Sequence, residues 1–229
     1  MRITSPEELK AERVAAMGTE LGEIYHALTN ELSWILLKWH QYCALYGTKP
    51  ERVDLLNKAA PLFFVVVEDA LWDDILLHLS RLTDSAKSMG KDNLSVKRLP
   101  GLVQDSVFRA ELATLVDAAV ATADFARDWR NRRLAHCDLA LAVVASADPL
   151  AHASRASVID ALASLKGLLK RVHQHYFGID IDLDLTGEPG DADALLRVLA
   201  EGVEATRARW QRFEEGKLSP DDWRGPPAI

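Results

Sequence analysis

The stretch LGEIYHALTNELSWILLKW, residues 21–39, carries the pattern that decides the fold. Its apolar side chains recur every three or four residues, the spacing that places them on one face of an α-helix. They are Leu21, Ile24, Tyr25, Leu28, Leu32, Ile35, Leu36 and Trp39. The pattern therefore predicts a long amphipathic helix that buries this face.

The helical pattern extends on both sides of this stretch. Ser5 can cap a helix and Pro6 fits a first turn, so we expect the helix to begin there. It is expected to run to about Tyr46, with an interruption near Gly18 or Gly22.

Further segments of the chain are predicted to be helical. A segment that begins near Glu51 is broken by Pro61, because proline lacks the amide hydrogen that a helix interior needs. Residues 62–82 are apolar on most sides, so we expect them to form the central and most buried helix. Other helices are expected from about Val103 towards Cys137, from Ser154 to about Tyr176, and from Asp191 to about Glu215.

One short segment has a different periodicity. Residues 178–185, GIDIDLDL, alternate between apolar and acidic side chains, which predicts a short extended segment near residues 179–185. The fold class is otherwise all-α, a bundle of five to six helices. We expect the bundle to occupy residues 1–177. Residues 178–229 would add the extended segment and a helix that packs on the bundle.

Composition and charge argue against several classes of protein. The two cysteines, Cys43 and Cys137, are far apart in sequence, which argues against a disulfide framework or a cysteine-rich zinc site. The formal net charge of −7 argues against broad, non-specific coating of nucleic acid. We find no glycine-rich nucleotide motif and expect neither a cofactor nor a metal. We also find no secretory signal and no apolar run long enough for a bilayer, and therefore expect a cytoplasmic protein.

A local basic concentration contrasts with this acidic background. The arginine segment (residues 127–133) contains four arginines and one acid. The arginines are Arg127, Arg130, Arg132 and Arg133, and the acid is Asp128. One interpretation is a solvated helix end whose arginines complement the helix dipole. The other is phosphate binding, because guanidinium presents a fork of donors that fits phosphate oxygens.

The residue types at the end of this segment fit RNA cleavage without a metal. Such a reaction needs a group that deprotonates the ribose 2′-hydroxyl, a group that protonates the leaving 5′-oxygen, and a cation beside the phosphate. The histidine side chain ordinarily titrates near neutrality, so His136 could perform either proton step, although a capping or core histidine is the alternative interpretation. Arg130 would supply the cation, and Asn131 could orient the substrate or the histidine.

The spacing of Arg130, Asn131 and His136 resembles the R-x(4–6)-H signature of the HEPN superfamily, in which a polar residue commonly follows the arginine. The wider pattern is similar to the AbiU-type abortive-infection branch. It consists of WDD at residues 72–74, SRLTD at residues 80–84 and RNRRLAHCD at residues 130–138. The likeness covers roughly residues 20–175.

This resemblance implies a function. HEPN proteins are helical bundles that usually dimerise and bring two copies of the motif into one composite ribonuclease site, and many are toxins or antiviral effectors. By position, Arg130 would bind the scissile phosphate, Asn131 would position it and His136 would handle the proton. The implied partners are a second copy of the chain, an RNA substrate and, in a toxin–antitoxin system, an antitoxin protein.

Five further residues would support such a site. Arg127, Arg132 and Arg133 would bind RNA or support the motif. Arg81 and Asp84, in the preceding helix, could orient the motif, or could simply form an ion pair within that helix.

Helix geometry bears on how the site is assembled. At about 100° per residue, Arg130 and His136 point about 120° apart in an ideal α-helix, so they do not share a face. A site that uses Arg130 then needs a local distortion or the copy of Arg130 from a second chain. In a site within one chain, Arg132 would be the better cationic neighbour of His136.

A non-catalytic function is the alternative. A helical dimerisation or binding module could hold RNA or a partner protein through the arginine segment. It would bind RNA without forming products, whereas an endoribonuclease would cleave it.

Overall fold

A computed structural model describes residues 5–47, 49–135, 138–143, 148–184 and 190–223. This part of the chain contains ten α-helices and one short two-stranded sheet, which confirms the predicted all-α class. The helices are α1 (Pro6–Met17), α2 (Thr19–Tyr42), α3 (Pro50–Ala59), α4 (Pro61–Leu82), α5 (Leu99–Leu102), α6 (Ser106–Thr122), α7 (Asp124–Trp129), α8 (Leu139–Val143), α9 (Arg155–Phe177) and α10 (Ala192–Glu214).

Short elements connect these helices. They are π-helical turns at Cys43–Gly47 and Arg130–Leu134, 3₁₀ turns at Val96–Arg98 and Pro220–Trp223, and the strands β1 (Lys87–Ser88) and β2 (Lys91–Asp92). The strands pair antiparallel around a tight turn at Met89 and Gly90, both of which have positive φ. No helix in the described ranges is long and apolar enough to cross a membrane.

The chain divides into two compact units. The first unit is Met1–Trp39 with Leu71–Thr186, and the second unit is His40–Ala70 with Gly187–Ile229. The sequence predicts a single boundary after residue 177 instead, and that division remains a prediction.

Fully buried apolar side chains from α2, α4, α6 and α9 form the core of the first unit. The largest are Tyr25, Leu28, Leu32, Ile35, Ile75, Leu76, Leu79, Leu112, Leu165 and Leu168. Five of the eight side chains expected on the buried face of residues 21–39 are buried, namely Leu21, Tyr25, Leu28, Leu32 and Ile35. This burial provides the main driving force for folding of the unit.

The two glycines expected to interrupt the first helix have different roles. Gly18 separates α1 from α2 and has a φ of 84°, a backbone conformation that residues with a Cβ rarely adopt. Gly22 lies within α2, where α1 crosses it so closely that a Cβ would approach Cα of Val14 to 2.6 Å. Gly22 is therefore a contact point between two helices and not a break.

The prediction that residues 62–82 form the most buried helix is wrong for its first half. Leu62, Phe63 and Val66 are 78%, 62% and 58% exposed, whereas Ile75 and Leu76 are fully buried. Local apolarity indicates that a helix can be buried, but its neighbours decide which turns are covered.

One other expectation is also corrected by the structure. The long helix expected from Val103 towards Cys137 is divided into α6 and α7 at Ala123, and it becomes π-helical at Arg130. Of the extended segment predicted near residues 179–185, residues 179–184 belong to neither a helix nor a strand, and Leu185 lies outside the described residues.

Within the second unit, α3 and α10 pack against each other. Arg52 of α3 forms an ion pair with Asp193 of α10 at 2.7 Å. Asp191 caps α10 by accepting a hydrogen bond from the amide of Ala194, so the helix expected from about Asp191 begins where the sequence predicts it.

Candidate functional site

The arginine segment leaves the α-helical path at Arg130. The amide of Ala135 donates to the carbonyl oxygen of Arg130 at 2.8 Å, an i to i+5 hydrogen bond, and Arg130–Leu134 form one π-helical turn. π-Helical turns are rare and frequently occur at functional sites. The angle of about 120° expected between Arg130 and His136 assumed an ideal α-helix, so it does not apply to this backbone.

Arg130 is held at the junction of α4 and the arginine segment. Its Nη1 donates to Oδ2 of Asp84, and the two side chains form an ion pair. Its Nε and Nη2 both donate to Oδ1 of Asn131, at 3.0 and 2.9 Å. All three guanidinium nitrogens therefore have partners: Asp84, a charged residue in the turn that follows α4, and Asn131, the next residue in the chain.

Asp84 is itself fixed from several directions. The amide of Ser85 donates to Oδ1 of Asp84 at 3.1 Å, and the buried Ser95 hydroxyl donates to the carbonyl oxygen of Asp84 at 2.6 Å. Burial raises the pKa of Asp84, but the hydrogen bonds from Arg130 and Ser85 outweigh it, so the pKa lies below its ordinary value. Asp84 is thus an ionised acceptor for Arg130 at neutral pH, and hydrogen bonds to its side chain and backbone hold it in place.

Arg127 anchors α7 to the end of α4. Its Nη2 donates to the carbonyl oxygen of Thr83 at 2.9 Å, and its Nη1 pairs with Asp124 at 2.7 Å. The buried Thr83 hydroxyl in turn donates to the carbonyl oxygen of Leu79 at 2.9 Å. Arg127 thus joins α7 to the turn that follows α4.

Arg132 binds the backbone of Asp148 and Pro149, which follow the arginine segment in sequence. Its Nη2 and Nη1 donate to the carbonyl oxygens of Asp148 and Pro149, at 2.6 and 3.2 Å. Asp128 lies 3.7 Å from the same guanidinium and accepts a hydrogen bond from the amide of Ala151 at 2.8 Å. Arg132 and Asp128 together tie residues 148–151 to the arginine segment.

Arg133 differs from the other three arginines. Its guanidinium carbon lies 5.4 Å from the ring centre of Trp129, a cation–π distance, and within the described ranges it forms no ion pair. The indole of Trp129 is fixed because its Nε1 donates to the carbonyl oxygen of Ala151 at 2.8 Å. Arg133 is an exposed residue and remains accessible to a ligand.

A notch lies beside Arg133, between α4 and the arginine segment. It is lined by Asp73, Asp74, Leu77, Arg133 and Leu134. Nζ of Lys38 donates to Oδ2 of Asp74 at 2.6 Å, so Asp74 has a cationic partner.

The predicted site residues are only partly brought together. Arg130, Asn131 and Asp84 are in direct contact, whereas Arg81 is exposed and no ion pair between Arg81 and Asp84 is found among the described residues. His136, the expected proton-transfer residue, lies outside the described residues, as does Cys137.

Several contacts of the site were not predicted from the sequence. Among them are those that join Thr83 to Arg127, Asp128 to Ala151, and Trp129 to Arg133. Of these three, only the pair Trp129 and Arg133 had a local signal, since residues four apart are neighbours on a helix surface. The other two depend on how distant segments fold together.

Comparison of the chain with known proteins identifies its family. No curated protein and no solved structure matches the chain. Residues 18–195, more than half of the chain, match the family model HEPN_AbiU2, described as AbiU2. The match includes residues 20–175, where the resemblance to AbiU-type HEPN proteins is predicted from the sequence, and confirms that prediction.

Proposed function

Because the chain belongs to the AbiU2 family of HEPN proteins, we propose that it is an endoribonuclease of abortive infection, which cleaves RNA without a metal during defence against phage. The observation that carries the proposal is the position of Arg130. It lies in a π-helical turn and is oriented by an ionised carboxylate, and among the described residues its two other donors bind the adjacent Asn131 alone.

The two partners of Arg130 differ in how easily they can be replaced. Asp84 is held by the amide of Ser85 and is only 25% exposed, so it keeps Nη1 in place. Asn131 is exposed and neutral, and a rotation of its side chain frees Nε and Nη2. These two nitrogens form the edge of the guanidinium that can bind two phosphate oxygens at once. A phosphodiester would therefore replace the Asn131 amide oxygen and leave the ion pair with Asp84 intact.

The proposed reaction is an in-line displacement at phosphorus. The ribose 2′-oxygen loses its proton to a histidine and attacks phosphorus, and the bond from phosphorus to the 5′-oxygen breaks. The 5′-oxygen takes up a proton, and the products carry a 2′,3′-cyclic phosphate and a 5′-hydroxyl. His136 would perform the proton transfers, and Arg130 would stabilise the charge that develops on the phosphate oxygens.

We further propose a homodimer, in which two copies of the motif share one site. A cognate antitoxin would hold such an enzyme inactive until infection. Light scattering of the purified protein tests the first proposal, and co-purification with the product of an adjacent reading frame tests the second.

Incubation of the purified protein with total RNA and EDTA tests the proposed activity directly. We expect fragments that end in a 2′,3′-cyclic phosphate, and we expect His136→Ala and Arg130→Ala to form none while circular dichroism stays unchanged. Cleavage by the His136→Ala protein would exclude the role of this histidine. RNA binding without products in the native protein would instead favour the non-catalytic binding module.

A further inference from the structure

We propose that the notch lined by Asp73, Asp74, Leu77, Arg133 and Leu134 binds one unpaired guanine base of the RNA. This inference rests on the proposed function and adds a substrate preference to it. The notch lies between α4 and the π-helical turn that contains Arg130, and Asp84, the partner of Arg130, lies two residues beyond the end of α4.

One wall of the notch is suited to a flat aromatic ligand. The guanidinium of Arg133 is held over the ring of Trp129, and the hydrogen bond from Trp129 to Ala151 fixes that ring. Unpaired RNA bases stack on guanidinium planes and on aromatic side chains. The side chains of Leu77 and Leu134 add apolar surface for the same base.

The opposite wall offers hydrogen-bond acceptors. The carboxylate of Asp74 has about four lone-pair positions, and Lys38 uses one of them on Oδ2. The carboxylate can therefore still accept two donors that lie side by side. Asp73 adds a second carboxylate to the lining.

Among the four RNA bases, guanine has the edge that matches this carboxylate. Its N1–H and N2–H groups are adjacent donors, so one carboxylate can accept both. Adenine and cytosine place a ring nitrogen acceptor beside their amino group, and uracil flanks its single N–H with two carbonyl oxygens. Each of these three bases therefore brings an acceptor against a carboxylate, which costs binding energy.

The charges of the notch are compatible with RNA. Asp73 and Asp74 carry two negative charges, and Lys38 and Arg133 carry two positive charges, so the local balance is neutral. The notch would thus read a base, while the phosphate is bound elsewhere, at Arg130.

The distance between the two places suits a short stretch of RNA. Leu77 precedes the last residue of α4, Leu82, by five residues, which corresponds to about 8 Å along the helix axis. Arg130 contacts Asp84, which lies two residues beyond the end of α4, so the phosphate site follows the notch along the chain. A guanine one or two nucleotides from the scissile phosphate can span this distance.

Binding of short RNAs that cannot be cleaved tests the guanine site. The probes are fluorescein-labelled, fully 2′-O-methylated pentanucleotides with the sequence UUXUU, in which X is guanine, adenine, cytosine, uracil or hypoxanthine. We expect the native protein to bind the guanine probe about tenfold more tightly than the adenine probe. Hypoxanthine keeps N1–H but lacks the amino group, so its affinity should lie between the two.

Two matched variants identify the carboxylate. Asp74→Asn should reduce the preference for guanine to less than about twofold. Lys38→Met removes the partner of Asp74 but keeps its carboxylate, and should retain the preference. The exposed Arg133→Ala variant provides a second test at the other wall, with an expected loss of affinity for all five probes. Circular dichroism establishes that each variant is folded.

The outcomes separate this inference from the proposed function. Equal affinity of the native protein for the five probes, or an unchanged guanine preference in folded Asp74→Asn protein, overturns the guanine site. Because the probes lack a free 2′-hydroxyl, a guanine preference can be seen without cleavage. If that preference is found while total RNA stays intact, the guanine site stands and the ribonuclease proposal fails.

Discussion

Asp84 and Arg130 lie 46 residues apart in sequence and form a partly buried ion pair at the junction of α4 and the arginine segment. The pair connects the turn that follows α4 to the π-helical turn of the arginine segment. It thereby fixes the side chain that the proposed mechanism needs at the phosphate.

Replacing Asp84 should affect both stability and activity. Asp84→Ala leaves Arg130 partly buried without its counter-charge, and we expect the free energy of unfolding in urea to fall by about 1–2 kcal/mol. RNA cleavage at saturating substrate should fall as well, because Arg130 loses its orientation. Glu204→Gln breaks an ion pair with Arg207 whose side chains are 72% and 80% exposed, and should change neither quantity measurably. A wild-type cleavage rate in the Asp84→Ala protein would contradict the positioning role.

Alanine substitutions at Gly22, where α1 and α2 cross, and at Gly167, which is in open space, should have opposite effects on stability. In Gly22→Ala the new Cβ meets the backbone of Val14 and Arg13 within 2.7 Å, so we expect a loss of about 1–3 kcal/mol of stability. Gly167→Ala adds a Cβ in open space on α9 and should raise stability by up to about 1 kcal/mol. Urea denaturation of both variants measures the two effects, and equal effects would mean that α1 does not cross α2 at Gly22.

Two histidines near Arg13, the buried His173 and the half-buried His26, make stability depend on pH. Burial lowers the pKa of His173, the cation of Arg13 lowers it further, and the acids Glu12 and Asp180 oppose the change. The pKa of His26 is lowered for the same first two reasons and also by the nearby Lys10. The unfolded chain therefore binds more protons than the folded chain once the pH drops below the ordinary histidine pKa of about 6.5. The contribution of these two histidines to the free energy of unfolding is therefore fully present above that pH and is lost as the pH falls below it.

The contribution of His173 to this pH dependence can be isolated. Its ring stacks on Phe177 with centres 4.4 Å apart, and its Nδ1 is buried without a hydrogen-bond partner among the described residues. His173→Phe should keep the packing and flatten the fall in unfolding free energy between pH 7.5 and 5. The exposed His152→Gln should leave the slope unchanged. A slope equal to that of the native protein in His173→Phe would show that the pKa of His173 is the same in the folded and the unfolded chain.

Two neighbouring arginines should behave differently. Arg132 binds the carbonyl oxygens of Asp148 and Pro149, so Arg132→Ala should cost about 1–2 kcal/mol of stability. Arg133 is exposed, and Arg133→Ala should change stability by less than about 0.5 kcal/mol but weaken RNA binding. Thermal unfolding and a fluorescence binding assay on both variants test whether Arg132 contributes to stability and Arg133 to RNA binding. The opposite pattern would exclude Arg133 as the RNA-binding residue of the pair.

The sequence predicts most of the helices because their signals are local. α9 and α10 begin and end within a few residues of the expected positions, since Ser154 and Asp191 act as N-caps and Gly178 ends α9. The exposed first half of α4 could not be predicted, because apolar composition does not reveal which turns a neighbour covers.

The site was predicted less completely than the fold. The motif indicates Arg130 and Asn131, but the contact between Asp84 and Arg130 depends on how two helices are arranged. The π-helical turn at Arg130–Leu134 also has no local sequence signal. Its neighbours include residues 148–151, which are far enough along the chain that only the folded structure brings them to Arg132.

The exchangeable contact between Arg130 and Asn131 has a consequence for the rate of substrate capture. An exposed side chain changes rotamer in picoseconds to nanoseconds, far faster than two macromolecules meet. Freeing the two nitrogens of Arg130 therefore needs no opening of a lid or rearrangement of a helix. Capture of an unpaired RNA should then proceed in a single kinetic phase whose rate rises linearly with RNA concentration, with no plateau set by a conformational step.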